Sequence, residues 1–104
     1  MTAFVTYRRW RLRPGAELGD VVDLVRDRIE PHYRVLDPDV RLGLELVDGS
    51  RSVLAVQHWP DRDRFTAATT SARYPAWLAA YRPALRRWDE LLEFESEWAA
   101  TGLL

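Results

Sequence analysis

The chain has 104 residues, with 15 basic and 16 acidic side chains and a formal net charge of −1. This length and the 47% apolar content fit a single domain, residues 1–104, with one core. The balanced charge argues against a nucleic-acid partner, and the absence of Cys excludes disulfides and thiolate chemistry. No apolar run approaches the roughly 18 residues of a membrane span. Because the N-terminus also lacks the apolar core of a signal peptide, we expect a cytoplasmic protein.

The first third of the chain predicts a strand and then a helix. Residues 4–13 alternate aromatic or β-branched side chains with Arg, and Pro14-Gly15 ends this pattern, which is typical of a strand. Apolar residues at helical spacing then predict a helix over residues 17–30. Pro31 is expected to end or kink this helix, because proline lacks the N–H that an interior helical position uses.

The middle of the chain predicts a β-hairpin. Residues 40–47 place Leu on alternate positions, and residues 52–59 have an apolar centre. Between them lies the sequence Asp-Gly-Ser, in which Gly49 supplies the positive φ that a tight turn needs. These two segments are therefore predicted to be adjacent antiparallel strands.

The last part of the chain predicts helical segments and a final strand. Asp61 or Asp63 can cap a helix that residues 71–74 interrupt, and Pro75 suits the first turn of a new helix. Pro83 is expected to kink or restart this second helix. Residues 92–98 then alternate apolar side chains with Glu, as a strand does.

The predicted order β-α-β-β-α-β is that of an α+β, ferredoxin-like fold with a four-stranded antiparallel sheet. In this topology the first and last strands are neighbours. Their charged side chains would then face each other on the side of the sheet away from the helices: Arg9, Arg11 and Arg13 beside Glu93, Glu95 and Glu97. Such a ladder either faces water or lines a barrel that a second subunit closes.

Three segments of the chain resemble the antibiotic biosynthesis monooxygenase family. Residues 56–65 form an apolar strand that ends in Trp, followed by an acidic turn and a helix that opens with an aromatic. The first strand ending at Pro14-Gly15 and the sequence of residues 91–95 fit the same family. The resemblance spans nearly the whole chain. It implies a homodimer that forms a dimeric α/β barrel, with a small-molecule cavity between sheet and helices in each subunit.

The resemblance also implies an activity, which is cofactor-independent monooxygenation of a small aromatic metabolite, polyketide-like or quinol-like. The haem-degrading branch of the family carries an Asn on the first strand and a Trp and a His on the second helix. Those positions fall at Arg8 and near Ala68 and Trp77 here, so haem degradation is disfavoured. Members of the polyketide branch tend to use an Asn as well, and this chain contains none.

Oxygen activation without a cofactor needs a base, a cation for the resulting anion, and flat aromatic walls. His58 is the predicted catalytic base, because His is the side chain whose ordinary pKa suits that role. Arg8 is the predicted anion partner, since it shares a strand face with Phe4 and Trp10. The residues predicted to bind the substrate are Tyr74, Trp77, Tyr81, His32 and Trp59.

Each of these residues also has a purely structural interpretation. Trp59 can belong to the core, and the stripe of Trp77 and Tyr81 is what an ordinary amphipathic helix needs. His58 and His32 can be partly exposed packing or surface residues. Arg8 is harder to interpret in this way, because a guanidinium on an apolar face needs a carboxylate or a ligand.

Other functions fit the same fold and stay open at this point. The chain can be a binding module that uses the cavity without chemistry, or an isomerase or decarboxylase-like enzyme. The two His residues lack the spacing of a metal motif, and the five Gly residues form no phosphate-binding loop. No cofactor and no metal are therefore expected.

Overall fold

The computed structural model, which describes residues 2–104, has the predicted β-α-β-β-α-β order. Its strands are β1 (Phe4–Leu12), β2 (Arg41–Leu46), β3 (Ser52–Trp59) and β4 (Leu92–Thr101). They form one antiparallel sheet in the order β2-β3-β1-β4. The first and last strands are therefore neighbours, and the ferredoxin-like α+β fold is confirmed.

The helices lie in two stretches of the chain. The first stretch is α1 (Leu18–Leu24), a π-helical segment (Val25–Ile29) and α2 (Glu30–Leu36), which follow one another without a break. The second stretch is α3 (Arg62–Thr69) and α4 (Tyr74–Leu91). No helix within residues 2–104 is long and apolar enough to cross a membrane.

Of the two outcomes predicted for Pro31, an end or a kink of the first helix, the end does not occur. Pro31 lies at the start of α2, and the helical run continues for five more residues. A proline ring crowds the carbonyl four residues earlier, which here belongs to Asp27 in the π-helical segment. Because a π turn is wider than an α turn, this segment is the irregularity that admits the proline.

Pro83 neither ends nor restarts α4, which is continuous from Tyr74 to Leu91. The missing N–H of Pro83 leaves the carbonyl of Ala79 without its helical partner. Both residues lie on the exposed side of the helix. Water can therefore satisfy that carbonyl, and the helix is not interrupted.

The core lies between one face of the sheet and the helices. The largest fully buried side chains are Trp59, Leu92, Val21, Val40 and Val53. Alternation along the strands decides which residues reach this face, so Phe4 on β1 belongs to the core, and so do Val53 and Trp59 on β3. We call this the inner face of the sheet and the opposite side its outer face.

A β-bulge in β4 changes the predicted pattern of the last strand. Arg9 pairs with Ser96 but Trp10 pairs with Phe94, so Glu95 is an extra residue on β4. Beyond the bulge, the side chains of β4 point to the opposite faces of the sheet from those that regular alternation would give them. Glu97 therefore comes to the inner face and Trp98 to the outer face, whereas simple alternation predicted the opposite for both.

The predicted ladder of three Arg and three Glu residues is accordingly only partly formed. On the outer face Glu95 lies 3.5 Å from Arg9 and 3.7 Å from Arg11. Glu97 instead pairs with Arg8. Arg13 lies beyond the end of β1 and donates to the carbonyl of Asp89. The bulge is the physical reason, since a ladder of this kind requires unbroken alternation on both strands.

Candidate functional site

A cavity of about 220 Å³ lies between the inner face of the sheet and the helices. The π-helical segment contributes Val25 and Ile29 to its wall. This volume is below the roughly 300–1,000 Å³ that is common for drug-sized ligands. The cavity therefore suits a small molecule of about two fused rings.

The helix side of the cavity is an aromatic wall. Tyr74, Trp77 and Tyr81 lie on one face of α4 because they are three and four residues apart. Tyr33 of α2 packs edge-on against two of them, with ring centroids 4.9 Å from Trp77 and 5.4 Å from Tyr81. Trp77 and Tyr81 are themselves 5.1 Å apart. These rings form a continuous aromatic surface over the sheet.

The sheet side of the cavity is more varied. Alternation brings Arg8 and Trp10 of β1 to the inner face, and it brings Ala55, Gln57 and Trp59 of β3 there as well. Ala55 pairs in register with Arg8, so a small side chain lies beside the only charged residue that lines the cavity within residues 2–104. Because the side chain of Ala55 is small, it leaves the space that the cavity occupies.

A chain of hydrogen bonds connects the two walls. Trp59 Nε1 donates to Gln57 Oε1 at 3.1 Å, and Gln57 Nε2 donates to the Tyr33 hydroxyl, also at 3.1 Å. Gln57 is thus oriented by one bond that it accepts and one that it donates. These two hydrogen bonds fix Tyr33 relative to the sheet.

Both buried phenols stay protonated over the physiological pH range. Burial raises the pKa of Tyr33 above its ordinary value, and the charge of Arg8 opposes this to a smaller extent. Burial also raises the pKa of Tyr81, and the neighbouring Tyr33 raises it further. A phenol that stays neutral can donate a hydrogen bond to a ligand but cannot serve as a general base.

The raised pKa values predict that the fold becomes less stable at alkaline pH. Tyr33 and Tyr81 remain neutral in the folded state, whereas in the unfolded state they ionise near pH 10. Their contribution is therefore fully present below about pH 10 and is lost as the pH rises further. We expect the urea midpoint to fall above about pH 10 in the wild type, and to fall less steeply in the Tyr81→Phe variant. An equal fall in both proteins would contradict this account.

His32 lies behind the aromatic wall and does not line the cavity. Its ring stacks on Trp77 at 4.6 Å, and its Nε2 donates to the carbonyl of Trp77 at 2.9 Å. Trp77 Nε1 donates in return to the carbonyl of His32 at 2.8 Å. This reciprocal pair fastens α2 to α4 and holds Trp77 in the wall. The structure thus assigns His32 a packing role at this position.

Arg8 lines the edge of the cavity and forms an ion pair with Glu97. Its Nε donates to Glu97 Oε2 at 3.0 Å, and the two side chains are 51% and 59% exposed. Neither terminal nitrogen of Arg8 has a hydrogen-bond acceptor among residues 2–104. One of the five N–H donors of the guanidinium is therefore used by the protein, and the four on the two terminal nitrogens remain for a ligand.

His58 does not lie with the other predicted site residues. It pairs with Val5 on the outer face and is exposed, because it is an odd number of positions away from Gln57 and Trp59. Alternation along β3 therefore places the sheet between His58 and the cavity. As a base for a ligand in this cavity, His58 is a wrong prediction.

Five of the seven predicted site residues line the cavity: Arg8, Trp59, Tyr74, Trp77 and Tyr81. Trp59 is only 2% exposed, so it belongs to the core as well. Sequence reasoning missed Tyr33 and Gln57. Gln57 could have been found from the sequence, because it is a polar residue in an otherwise apolar strand. It is two positions from Trp59, so both side chains lie on the same face of the sheet. The helix that carries Tyr33 was predicted to stop before it.

Trp10 also lines the cavity and was not among the predicted site residues. Its Nε1 is buried without a hydrogen-bond acceptor among residues 2–104. The ring meets Trp88 and Phe94 nearly edge to face, with centroids 5.5 Å and 5.2 Å away. Contacts of this geometry stabilise indole packing. As for metals, no three His, Asp or Glu side chains in the described part of the chain are grouped to hold an ion.

The chain is similar to known proteins in structure. No protein-family model matches the sequence, and no curated protein sequence matches it. Among solved structures, the chain is similar to SnoaB, a cofactor-independent oxygenase from Streptomyces nogalater. The TM-score is 0.57 at 16% identity, over 100% of this chain and 96% of that one. A point variant of SnoaB gives a TM-score of 0.61.

Two further structures have the same fold. HapK from Hahella chejuensis has a TM-score of 0.56 at 17% identity, over 96% of this chain and 90% of that one. A NIPSNAP family protein from Agrobacterium tumefaciens has a TM-score of 0.53 at 19% identity, over 97% and 91%. Identities this low establish the fold alone. The chain therefore has the same ferredoxin-like fold as SnoaB, HapK and this NIPSNAP family protein.

Proposed function

We propose that this chain binds a small, flat aromatic molecule in the cavity between its sheet and its helices. The observation that carries the proposal is the aromatic wall of Tyr33, Trp77 and Tyr81 facing open space. Rings in such a wall stack on or meet edge-on a planar ligand. Arg8 and the two neutral phenols supply hydrogen-bond donors that fix its orientation.

The proposal is tested with 2-naphthamide, a neutral two-ring probe that carries a carbonyl acceptor. Ligand-observed NMR titration is expected to give saturable binding to the wild-type protein. No binding up to the solubility limit of the probe would contradict the proposal.

Cofactor-independent oxygenation is the second candidate function. Two observations favour it, the fold shared with SnoaB and the guanidinium of Arg8 at the cavity. In such a reaction the substrate loses a proton from an activated methylene and transfers electrons to O₂. One oxygen atom then becomes the new carbonyl and the other leaves as water. Since His58 lies on the outer face, the proton acceptor that this reaction would use is Glu97, which pairs with Arg8 beside the cavity without lining it.

Oxygen uptake with 2-tetralone, a two-ring ketone with an activated methylene, distinguishes the two candidates. A binding protein leaves the slow spontaneous oxidation of 2-tetralone unchanged. Uptake of one O₂ per 2-tetralone above that background, lost in the Arg8→Met variant, would favour the oxygenase. The Arg87→Met variant is the control, because Arg87 is an exposed arginine of α4 that does not line the cavity.

The second part of the proposal is a homodimer formed through the outer face of the sheet. That face carries a stacked pair, Tyr7 and Trp98, with ring centroids 5.4 Å apart. Trp98 is 45% exposed, and neither ring belongs to the core. Apolar rings of this size on an uncovered sheet face are typical of a protein interface. The fold shared with the dimeric α/β-barrel superfamily supports the same arrangement.

We expect the wild-type protein to have twice the chain mass of 12.1 kDa in light scattering at micromolar concentration. Trp98→Glu should yield the single-chain mass, because it replaces one ring of the stacked pair by a carboxylate that dimer formation would desolvate. Leu103→Glu is the control, since Leu103 is 90% exposed near the C-terminus. A wild-type protein that scatters as a monomer would contradict the dimer.

A further inference from the structure

The charges at the cavity are unusually few. Among the residues that line it in the described part of the chain, Arg8 is the only one with a formal charge. The other polar groups of the wall are neutral, namely Gln57, Thr69, the tryptophan indoles and three tyrosine phenols, of which Tyr33 and Tyr81 have raised pKa values. An anionic ligand would therefore depend on Arg8 alone for a counter-charge.

Arg8 is not available as a free cation, because Glu97 already compensates it. The two residues are paired in register across β1 and β4, and Glu97 Oε2 accepts from Arg8 Nε at 3.0 Å. This arrangement depends on the bulge at Glu95, which brings Glu97 to the inner face. An anion beside this pair would produce a cluster with one net negative charge against an apolar wall, which is unfavourable. A neutral oxygen acceptor beside the pair would leave the cluster without a net charge and would avoid this cost.

We infer that Glu97 is a specificity-determining residue, which makes the cavity select an uncharged aromatic ligand with an oxygen acceptor over an aromatic anion. Glu97 holds the guanidinium through Nε, and the two unengaged terminal nitrogens donate to the ligand oxygen. The inference rests on the proposed function, because it assumes that an aromatic ligand occupies the cavity. It adds the charge class of that ligand and the residue that sets it.

The test compares two probes of the same shape, 2-naphthamide and 2-naphthoate, at a pH where the naphthoate is fully ionised. The wild type is expected to bind 2-naphthamide more tightly. In the Glu97→Gln variant, affinity for 2-naphthoate should rise roughly threefold to tenfold, because the cation is no longer neutralised by a half-exposed carboxylate. Affinity for 2-naphthamide should change by less than about twofold, which also verifies that the variant is folded.

Glu90→Gln is the matched control, since Glu90 is an exposed glutamate that pairs with Arg87 at 3.0 Å and does not line the cavity. This substitution makes the same change in net charge and should leave the affinities for both probes unaltered. If the wild type prefers 2-naphthoate, or if Glu97→Gln leaves the ratio of the two affinities unchanged, the role of Glu97 is overturned. If the wild type binds neither probe, the proposed function itself fails.

Discussion

Replacing Trp59 with alanine is expected to lower the free energy of unfolding by about 3–5 kcal/mol, the largest stability effect that we predict. Trp59 is 2% exposed at the end of β3, and its ring meets Phe65 at 5.3 Å and an interplanar angle of 72°. Its truncation opens a void that close-packed neighbours cannot fill completely. A loss of this size is a large part of the stability of an ordinary small domain. Urea denaturation followed by far-ultraviolet circular dichroism measures it.

Two other variants separate packing from hydrogen bonding at this position. Trp59→Phe keeps most of the buried ring but removes the Nε1 donor to Gln57, so we expect it to cost less than Trp59→Ala. Leu103→Ala removes a large apolar side chain from a site that is 90% exposed, and we expect a smaller loss of stability there as well. Equal losses in Trp59→Ala and Leu103→Ala would show that Trp59 is not part of the core.

Replacing Ala55 with phenylalanine is expected to weaken binding of 2-naphthamide by more than roughly tenfold. Ala55 lines the cavity on β3, in register with Arg8 on one side and Leu44 on the other. A phenyl ring at this point occupies the space in which the ligand would lie. Because the ring enters existing empty volume and does not overpack a filled core, the cost in stability should be small. An NMR titration with the probe measures the affinity.

Ala80→Phe is the control for this prediction. Ala80 lies on the exposed side of α4 and does not line the cavity, so the same substitution there should leave probe affinity unchanged. Unaltered affinity in Ala55→Phe would show that the probe binds elsewhere. Loss of affinity in both variants would point to a general effect of added apolar surface.

The architecture of the chain was predictable because local signals agree with one another along most of it. Alternation over the first strand, Gly49 at positive φ in the hairpin and the terminal β4 all indicated the β-α-β-β-α-β order. Register in such a sheet follows from which side of each strand is apolar. The inner-face positions of Arg8 and Trp59 could therefore be read from the sequence, and so could the aromatic stripe of α4.

Two irregularities were not predictable from local patterns. The π-helical segment, Val25–Ile29, carries the first helix past Pro31, which adds Tyr33 to the cavity wall. The bulge at Glu95 reverses the parity of β4 and brings Glu97 to Arg8. Each is a single-residue departure from a regular period, and its cost is offset by packing with distant parts of the chain. Only the assembled fold contains those partners.

The sequence by itself determined the fold class, the aromatic stripe of Trp77 and Tyr81, and the presence of Arg8 on an apolar face, because each follows from a period of two or of 3.6 residues. The tertiary structure decided which of these residues meet. His58 lies on the other side of the sheet from the cavity. His32 holds Trp77 in place through two hydrogen bonds. The tertiary structure also paired Arg8 with a carboxylate 89 positions away. Contacts between residues so far apart depend on how elements pack, which no local period encodes.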